Sequence, residues 1–133
     1  MGGGVELGSL AWARRQIEEM VRDAGLGPPD AGTLLRASGL APADFDRHVR
    51  DLLRTRTVAR LDDLLFHAEV LAGLRQEVLE LGRGTPPGVE TWLDVATFKG
   101  RYALSRKYAI PLLEWLDRER VTRRVGDRRL LLV

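Results

Sequence analysis

The sequence predicts a mainly α-helical protein with small β-hairpins (the α+β class), built from two similar modules. Three observations predict this class: an ungapped internal similarity, helical spacing of apolar residues, and short β-like segments around tight turns. Residues 33–63 align with residues 97–127 at an offset of 64, and their apolar positions coincide, as Leu52 does with Leu116. This shared pattern indicates one supersecondary unit that occurs twice.

The first copy has start and stop signals for its helices. Asp30 can cap a short helix, and Gly39 is suited to end it. Pro42 stands near the first position of the next helix, where its missing N–H costs nothing. The predicted elements are helices over 12–24, 31–37 and 42–54 and strands over 57–60 and 64–66.

The second copy follows the same order, with Asp94 and Ser105 at the two N-cap positions. Pro111 lies inside its longer helix and cannot donate to the carbonyl of Lys107, so we expect a bent or loosely bonded first turn. Either this bend is simply tolerated, or it presents the first turn to a ligand. The predicted elements are helices over 68–81, 95–102 and 106–119 and strands over 90–93, 121–125 and 128–132.

Three helices followed by a β-hairpin form the winged helix-turn-helix arrangement. We therefore predict two tandem winged helix-turn-helix modules, the first over residues 9–66 and the second over residues 67–133. Residues 1–8 contain three successive glycines, which we interpret as a linker or as a start left by cloning.

The charges are divided unequally along the chain. Residues 1–95 hold eleven arginines and fifteen carboxylates, a net charge of −4, whereas residues 96–133 hold ten basic and four acidic residues, a net charge of +6. The overall net charge of +2 conceals this difference. A concentration of cations at one end indicates a polyanion-binding module there.

Several classes of function lack support in the sequence. The chain has no cysteine, and carboxylates around His48 and His67 form no ligand pattern, so we expect packing or solvated histidines and no metal site. There is no phosphate-binding loop and no Ser–His–acid or Cys–His grouping, so we predict that the chain is not an enzyme. No apolar run approaches the roughly 18 residues of a membrane span, and the start is unlike a signal peptide. We expect a cytoplasmic protein that binds no membrane.

The segment SRKYAIPLLEWLD (105–117), followed by TRRVGDRR (122–129), resembles the C-terminal module of the bacterial selenocysteine-specific elongation factor SelB. The likeness is close from TFK (97–99) to the end, and the first module is similar in outline. One departure is that the family usually has glycine where Ala103 stands, and another is that it has an acidic or polar residue near Gly100.

The resemblance implies a function in translation. The last module would bind the selenocysteine-insertion (SECIS) hairpin of messenger RNA and tether the factor that delivers selenocysteinyl-tRNA at UGA codons. The ribosome, the tRNA and GTP would be engaged by domains absent from this chain, which would itself hold no cofactor. We expect a monomer, because no surplus apolar helix is available for a dimer.

The same region has the residues that a hairpin binder needs. A helix N-terminus attracts phosphate, and we expect Ser105 to cap its helix and also touch a phosphate. The ring of Tyr108 is equally suited to the core and to stacking. Strand alternation turns one arginine of each wing pair toward the core, and we give Arg124 and Arg128 less weight. The predicted RNA-binding residues are Lys99, Arg101, Ser105, Arg106, Lys107, Tyr108, Arg123, Arg124, Arg128 and Arg129.

Other interpretations stay open. A winged-helix DNA-binding transcriptional regulator is the main alternative, since the same helix could enter a major groove, and a protein-interaction module is the third. We expect Arg118 and Arg120 to be solvated charges, and Trp92 and Trp115 to be packing residues. The first module has no equivalent of the cationic cap, so we predict that it is a spacer.

Overall fold

A computed structural model describes the backbone of residues 2–132 and the side chains of residues 10–132. The chain divides into two compact units, with the boundary after Val70. The first unit contains α1 (Gly2–Asp23), α2 (Ala31–Ser38), α3 (Pro42–Arg54), β1 (Val58–Leu61) and β2 (Leu64–His67). The boundary falls within α4 (Ala68–Arg83), and the second unit continues with β3 (Trp92–Asp94), α5 (Val95–Tyr102), α6 (Arg106–Arg118), β4 (Thr122–Val125) and β5 (Arg128–Leu131).

Four elements recur with every bound shifted by 64 residues. Helices α2 and α3 recur as α5 and α6, and strands β1 and β2 recur as β4 and β5. Even the left-handed backbone positions recur at this offset: Gly39 with Ala103, Arg56 with Arg120, and Asp62 with Gly126. The aspartate N-caps also correspond, because Asp30 accepts from the N–H of Thr33 at 2.8 Å and Asp94 accepts from that of Thr97 at 2.7 Å.

The core of the first unit joins its three helices to the hairpin. The cluster contains Ile17 and Val21 from α1, Phe45 and Val49 from α3, and further buried aliphatic residues of α2, β1 and β2. The buried His67 ring accepts a hydrogen bond from the N–H of Glu69 through Nδ1, so its Nε2–H donates to Glu18 at 3.0 Å. No described helix is long and apolar enough to cross a bilayer.

The second unit has a sheet of three strands in the order β3-β5-β4, all antiparallel. The first unit has two strands, and Pro28 and Pro29 stand where β3 would lie at the offset of 64. Proline has no N–H to donate to a neighbouring strand, which explains why β3 has no counterpart there. The third strand ends at Asp94, which is one of the residues that line the groove described below.

Most of the predicted bounds differ from the observed ones by one or two residues, and two differences have a physical explanation. Helix α1 begins at Gly2 instead of Trp12 and includes residues predicted as a linker, because the low helix propensity of three glycines hid the extension. Strand β3 covers Trp92–Asp94 instead of 90–93, since its length is set by pairing with β5 and not by its own composition.

The left-handed conformation of Ala103 gives the first testable prediction. Ala103 has φ 53° and ψ 47°, where an L-residue is strained by about 1–2 kcal/mol. We expect Ala103→Gly to raise the free energy of unfolding by about 1 kcal/mol, because the relief of this strain exceeds the entropy that glycine loses on folding. Urea denaturation measures the difference. The matched reverse change, Gly39→Ala, should lower it by a similar amount, although nothing lies within 4 Å of the new Cβ. Loss of stability in Ala103→Gly would contradict this explanation.

Candidate nucleic-acid interface

A groove of about 530 Å³ in the second unit brings together side chains from three parts of the sequence. Its cations come from α5, the first turn of α6 and the two wing strands. Its acids come from the start of α5, the middle of α6 and the wing turn. The cationic residues that line it are Lys99, Arg106, Arg124 and Arg129, and the acidic ones are Asp94, Glu114 and Asp127.

The amino end of α6 lies at this groove, and its first N–H groups have no acceptor within the helix. Ser105 takes the N-cap position with extended backbone (φ −79°, ψ 165°), but its side chain makes no capping hydrogen bond. The prediction that its hydroxyl caps the helix is therefore wrong, since the hydroxyl is exposed and unused. Helix α6 continues through the buried Pro111 to Arg118. The helix dipole and the free N–H groups favour an anion at this end.

Arg129 occupies a different place from the one that the sequence predicts. Its side chain is buried, with the residue only 3% exposed, and its Nε donates to both carboxylate oxygens of Asp117 at 3.2 and 3.1 Å. Thr122 fixes the same carboxylate through a hydrogen bond of 2.7 Å from its hydroxyl. The terminal nitrogens of Arg129 have no hydrogen-bond partner among the described residues. Arg129 is thus a fixed guanidinium at the wall of the groove and not an exposed wing cation.

The sheet register divides the wing arginines between two faces. Cα partners point to the same side of an antiparallel pair, and Arg124 is paired with Arg129. Arg124 therefore faces the groove, where its Nε donates to the carbonyl of Gly126 at 3.1 Å. Arg123 and Arg128 point to the opposite face. The expectation that Arg128 is the core-facing member of its pair is wrong, because Arg129 is the one that is buried.

Lys107, Tyr108 and Arg101 lie on the same two helices as Arg106 and Lys99 but are not among the residues that line the groove. Lys107 is exposed with its Nζ 5.5 Å from the centre of the Tyr108 ring, and Tyr108 is half-buried. Arg101 is exposed beside Tyr102, with 5.9 Å between its Cζ and the ring centre. Neither lines the groove, so the structure brings together Lys99, Arg106 and Arg124 and leaves these two at the periphery.

The acids of the groove do not neutralise its cations by direct pairing. Among the described residues, Arg129 is the cation of this set that forms an ion pair, and it does so with Asp117. The pKa of Asp94 is lowered, first by the N–H of Thr97, then by the Thr97 hydroxyl and by Arg128. The negative charge of this carboxylate therefore serves to cap α5. Lys99, Arg106 and Arg124 therefore have their charge available to a ligand.

The first unit shows what the same fold looks like without the site. The positions equivalent to Lys99, Arg106 and Arg129 hold Leu35, Pro42 and Leu65, and only Arg60 keeps the charge of Arg124. Its helix α3 begins after Ala41, which has no side-chain cap. Two of the three arginines that follow in α3 pair locally with acids, Arg47 with Asp44 and Arg54 with Asp51. Arg50 donates to the backbone carbonyl of Asp46.

Sequence reasoning missed Asp117 and Thr122, which hold Arg129 in place. The offset of 64 contains the signal that could have revealed them. Leu53, Val58 and Leu65 are the aliphatic counterparts of Asp117, Thr122 and Arg129, and all three pack in the core of the first unit. A polar triad at three core positions is costly unless its members satisfy one another. That substitution pattern predicts a hydrogen-bonded cluster beside the groove.

Comparison with known proteins finds a family model that matches the second unit and a relative that is similar over most of the chain. Residues 90–131 match a family model described as "Elongation factor SelB, winged helix". The selenocysteine-specific elongation factor of Desulfomicrobium baculatum is 28% identical over 120 residues, which cover 87% of this chain and 18% of that protein.

Two solved structures share the fold. The mRNA-binding domain of elongation factor SelB from E. coli, solved in complex with SECIS RNA, has a TM-score of 0.67 and 22% identity and covers 90% of this chain and 96% of that chain. A bacterial selenocysteine-specific elongation factor, EF-Sec, also has a TM-score of 0.67 and 22% identity, over 95% of this chain and 19% of that chain. This chain spans about a fifth of the length of the curated relative and of EF-Sec.

The chain is therefore a winged-helix protein of the α+β class with a cationic groove in its second unit. It is similar to the C-terminal winged-helix part of the SelB elongation factors, and residues 90–131 match the winged-helix model of that family. The predicted resemblance is confirmed by these matches. The segment matched by the family model is a winged-helix domain and not a GTPase domain.

Proposed function

We propose that the second unit binds the SECIS hairpin of a messenger RNA and thereby tethers a selenocysteine-specific elongation factor to it. The observation that best supports this proposal is the convergence of Lys99, Arg106, Arg124 and the fixed Arg129 on one groove at the amino end of α6. The solved E. coli relative of the same fold is an mRNA-binding domain in complex with SECIS RNA.

The groove suits a folded RNA for physical reasons. A hairpin presents closely spaced phosphates along its stem and unpaired bases in its loop. Free helix N–H groups and flexible cations at the groove can follow the phosphates, while the Arg129 guanidinium offers donors in a fixed direction. Ser105, Lys107, Tyr108 and Arg101 extend this surface. Arg123 and Arg128 lie on the opposite face of the sheet and are considered separately below.

Tethering follows from the place of the chain within its longer relatives. Holding the hairpin raises the effective concentration of the attached factor near the ribosome decoding the same message. GTP, selenocysteinyl-tRNA and the ribosome would be bound by other parts of such a factor, at UGA codons in the cytoplasm. No cofactor is required by the second unit itself. The first unit serves as a spacer, since its equivalents of the groove cations are mostly apolar.

Fluorescence anisotropy separates hairpin binding from the DNA-regulator alternative. The probes are a labelled SECIS hairpin RNA, the same stem closed by a uridine loop, and a DNA duplex of equal length, all at one salt concentration. We expect the SECIS hairpin to bind more tightly than the duplex by at least about a hundredfold, because the specific RNA form supplies both phosphates and loop bases. Tighter binding of duplex DNA would show that the regulator interpretation is correct.

A further inference from the structure

The outer face of the second unit's sheet, defined by Trp92, Arg123, Val125, Arg128 and Leu130, is open to solvent. The register places Trp92, Leu130 and Arg123 in one row and Arg128 and Val125 in the next. Val125 is 44% exposed, and Trp92 and Leu130 are half-buried. Aliphatic and aromatic side chains therefore remain in contact with water on this face, between two exposed arginines.

The corresponding face of the first unit's hairpin is buried. Its strands have the identical register at the offset of 64, so Leu61, Leu64 and Phe66 correspond to Val125, Arg128 and Leu130. Phe66 is 0% exposed, and the two leucines are 4% exposed. An open apolar face is thus not a general property of this hairpin. Where such a face remains open and is bordered by charge, it marks an interaction site.

The charges of the outer wing face indicate an anionic occupant. Neither Arg123 nor Arg128 forms an ion pair or hydrogen bond with another described residue. Asp94 is the Cα partner of Arg128, which contributes to its lowered pKa, but no ion pair joins the two side chains, and the Asp94 carboxylate accepts the N–H of Thr97. A negatively charged ligand could form a direct ion pair with both guanidinium groups.

The geometry of Arg128 adds an aromatic requirement. Its Cζ lies 4.3 Å from the centre of the Trp92 ring, so the guanidinium lies over the indole, and the arginine is exposed to solvent. A planar cation held in this way is a platform on which a nucleobase can stack. Phosphates and base faces occur together in a single strand of nucleic acid, whereas in a duplex the bases are stacked on one another.

We propose that the outer wing face binds a single-stranded RNA segment, with a base on the Arg128–Trp92 stack and a phosphate on Arg123. The inference rests on the proposed function, because the message on either side of a hairpin is single-stranded and continuous with it. The wing would then contact RNA on both faces: the hairpin in the groove, and the flanking strand on the outer wing face.

Binding of fluorescein-labelled decauridine to the full chain tests this proposal directly. We expect Arg128→Ala to weaken decauridine binding about tenfold, because it removes one stacking surface and one charge. Arg128→Lys keeps the charge and should still lose several-fold, since an ammonium group cannot stack as a plane. Arg118→Ala, an exposed arginine of the same unit, is the matched control and should leave the affinity unchanged.

A second probe distinguishes the two RNA surfaces. A SECIS hairpin without flanking nucleotides should bind Arg128→Ala within about twofold of the original chain, whereas a hairpin with a decauridine extension should lose its additional affinity. Absence of decauridine binding, or an equal loss for Arg118→Ala, would overturn the single-strand proposal. Hairpin binding would survive that outcome, and failure of the bare hairpin to bind would instead overturn the proposed function.

Discussion

Arg106→Ala combined with Arg124→Ala should weaken SECIS-hairpin binding by about a hundredfold. Each residue is exposed, lines the groove and has no ion-pair partner among the described residues. A hydrogen bond to a charged group contributes about 1.5–3 kcal/mol, so losing one such contact costs about tenfold or more in affinity. The slope of log affinity against log salt should also fall by about 0.7–0.9 for each lost phosphate contact.

Matched substitutions in the first unit provide the control for this prediction. Arg36→Ala and Arg47→Ala remove exposed arginines from α2 and α3, and we expect them to change hairpin affinity by less than about twofold. Anisotropy titrations at several salt concentrations measure both quantities for each variant. An equal loss in the first-unit variants would mean that the spacer assignment is wrong and that both units contact RNA.

The second large effect concerns stability. Arg129→Ala should lower the free energy of unfolding by about 2–3 kcal/mol, because it leaves the Asp117 carboxylate beside the core without its partner. The full cost of breaking a buried pair is larger, but the Asp117 side chain is 25% exposed and keeps some contact with water. Arg124→Ala, on the same face but exposed, should change stability by less than about 0.5 kcal/mol.

The internal repeat supplies the decisive control for Arg129. Leu53 and Leu65 occupy the positions of Asp117 and Arg129 in the first unit, so the double variant Asp117→Leu with Arg129→Leu reproduces a pair that this fold already packs. Because Thr122 would lose its acceptor in that double variant, Thr122→Val, which matches Val58 of the first unit, is added, and we expect the stability of this triple variant to equal or exceed that of the original chain. Its hairpin affinity should still fall about tenfold or more, because the fixed guanidinium is gone. A stable triple variant with undiminished hairpin binding would show that these three residues have a structural role alone.

The parts of the fold that depend on neighbouring residues could be predicted from the sequence. Asp30 and Asp94 cap α2 and α5 through residues three positions ahead, so the aspartates and the helix starts were identified together. Strand β3 was less well defined, because it exists through its bonds to β5, which lies more than thirty residues away. The start of α1 was missed because glycines lower helix propensity without forbidding a helix.

The site was predicted correctly in region but not in the direction of every side chain. Composition placed the cations at the end of the chain, but alternation alone cannot say which arginine of an adjacent pair faces inward. That direction depends on the register, in which Arg129 is the partner of both Arg124 and Leu93. Comparison with the first unit does not resolve it, because Leu64 and Leu65, the counterparts of Arg128 and Arg129, are both buried leucines.

Amide NMR of the ¹⁵N-labelled chain, titrated with a SECIS hairpin RNA, tests most directly whether RNA recognition belongs to the second unit. The backbone N–H groups of Arg106 and Lys107, at the free end of α6, should shift strongly and exchange more slowly with water when the hairpin is bound. Their counterpart segment in the first unit, the start of α3, should remain unchanged. Shifts concentrated in α3, with the amino end of α6 unaffected, would contradict the account.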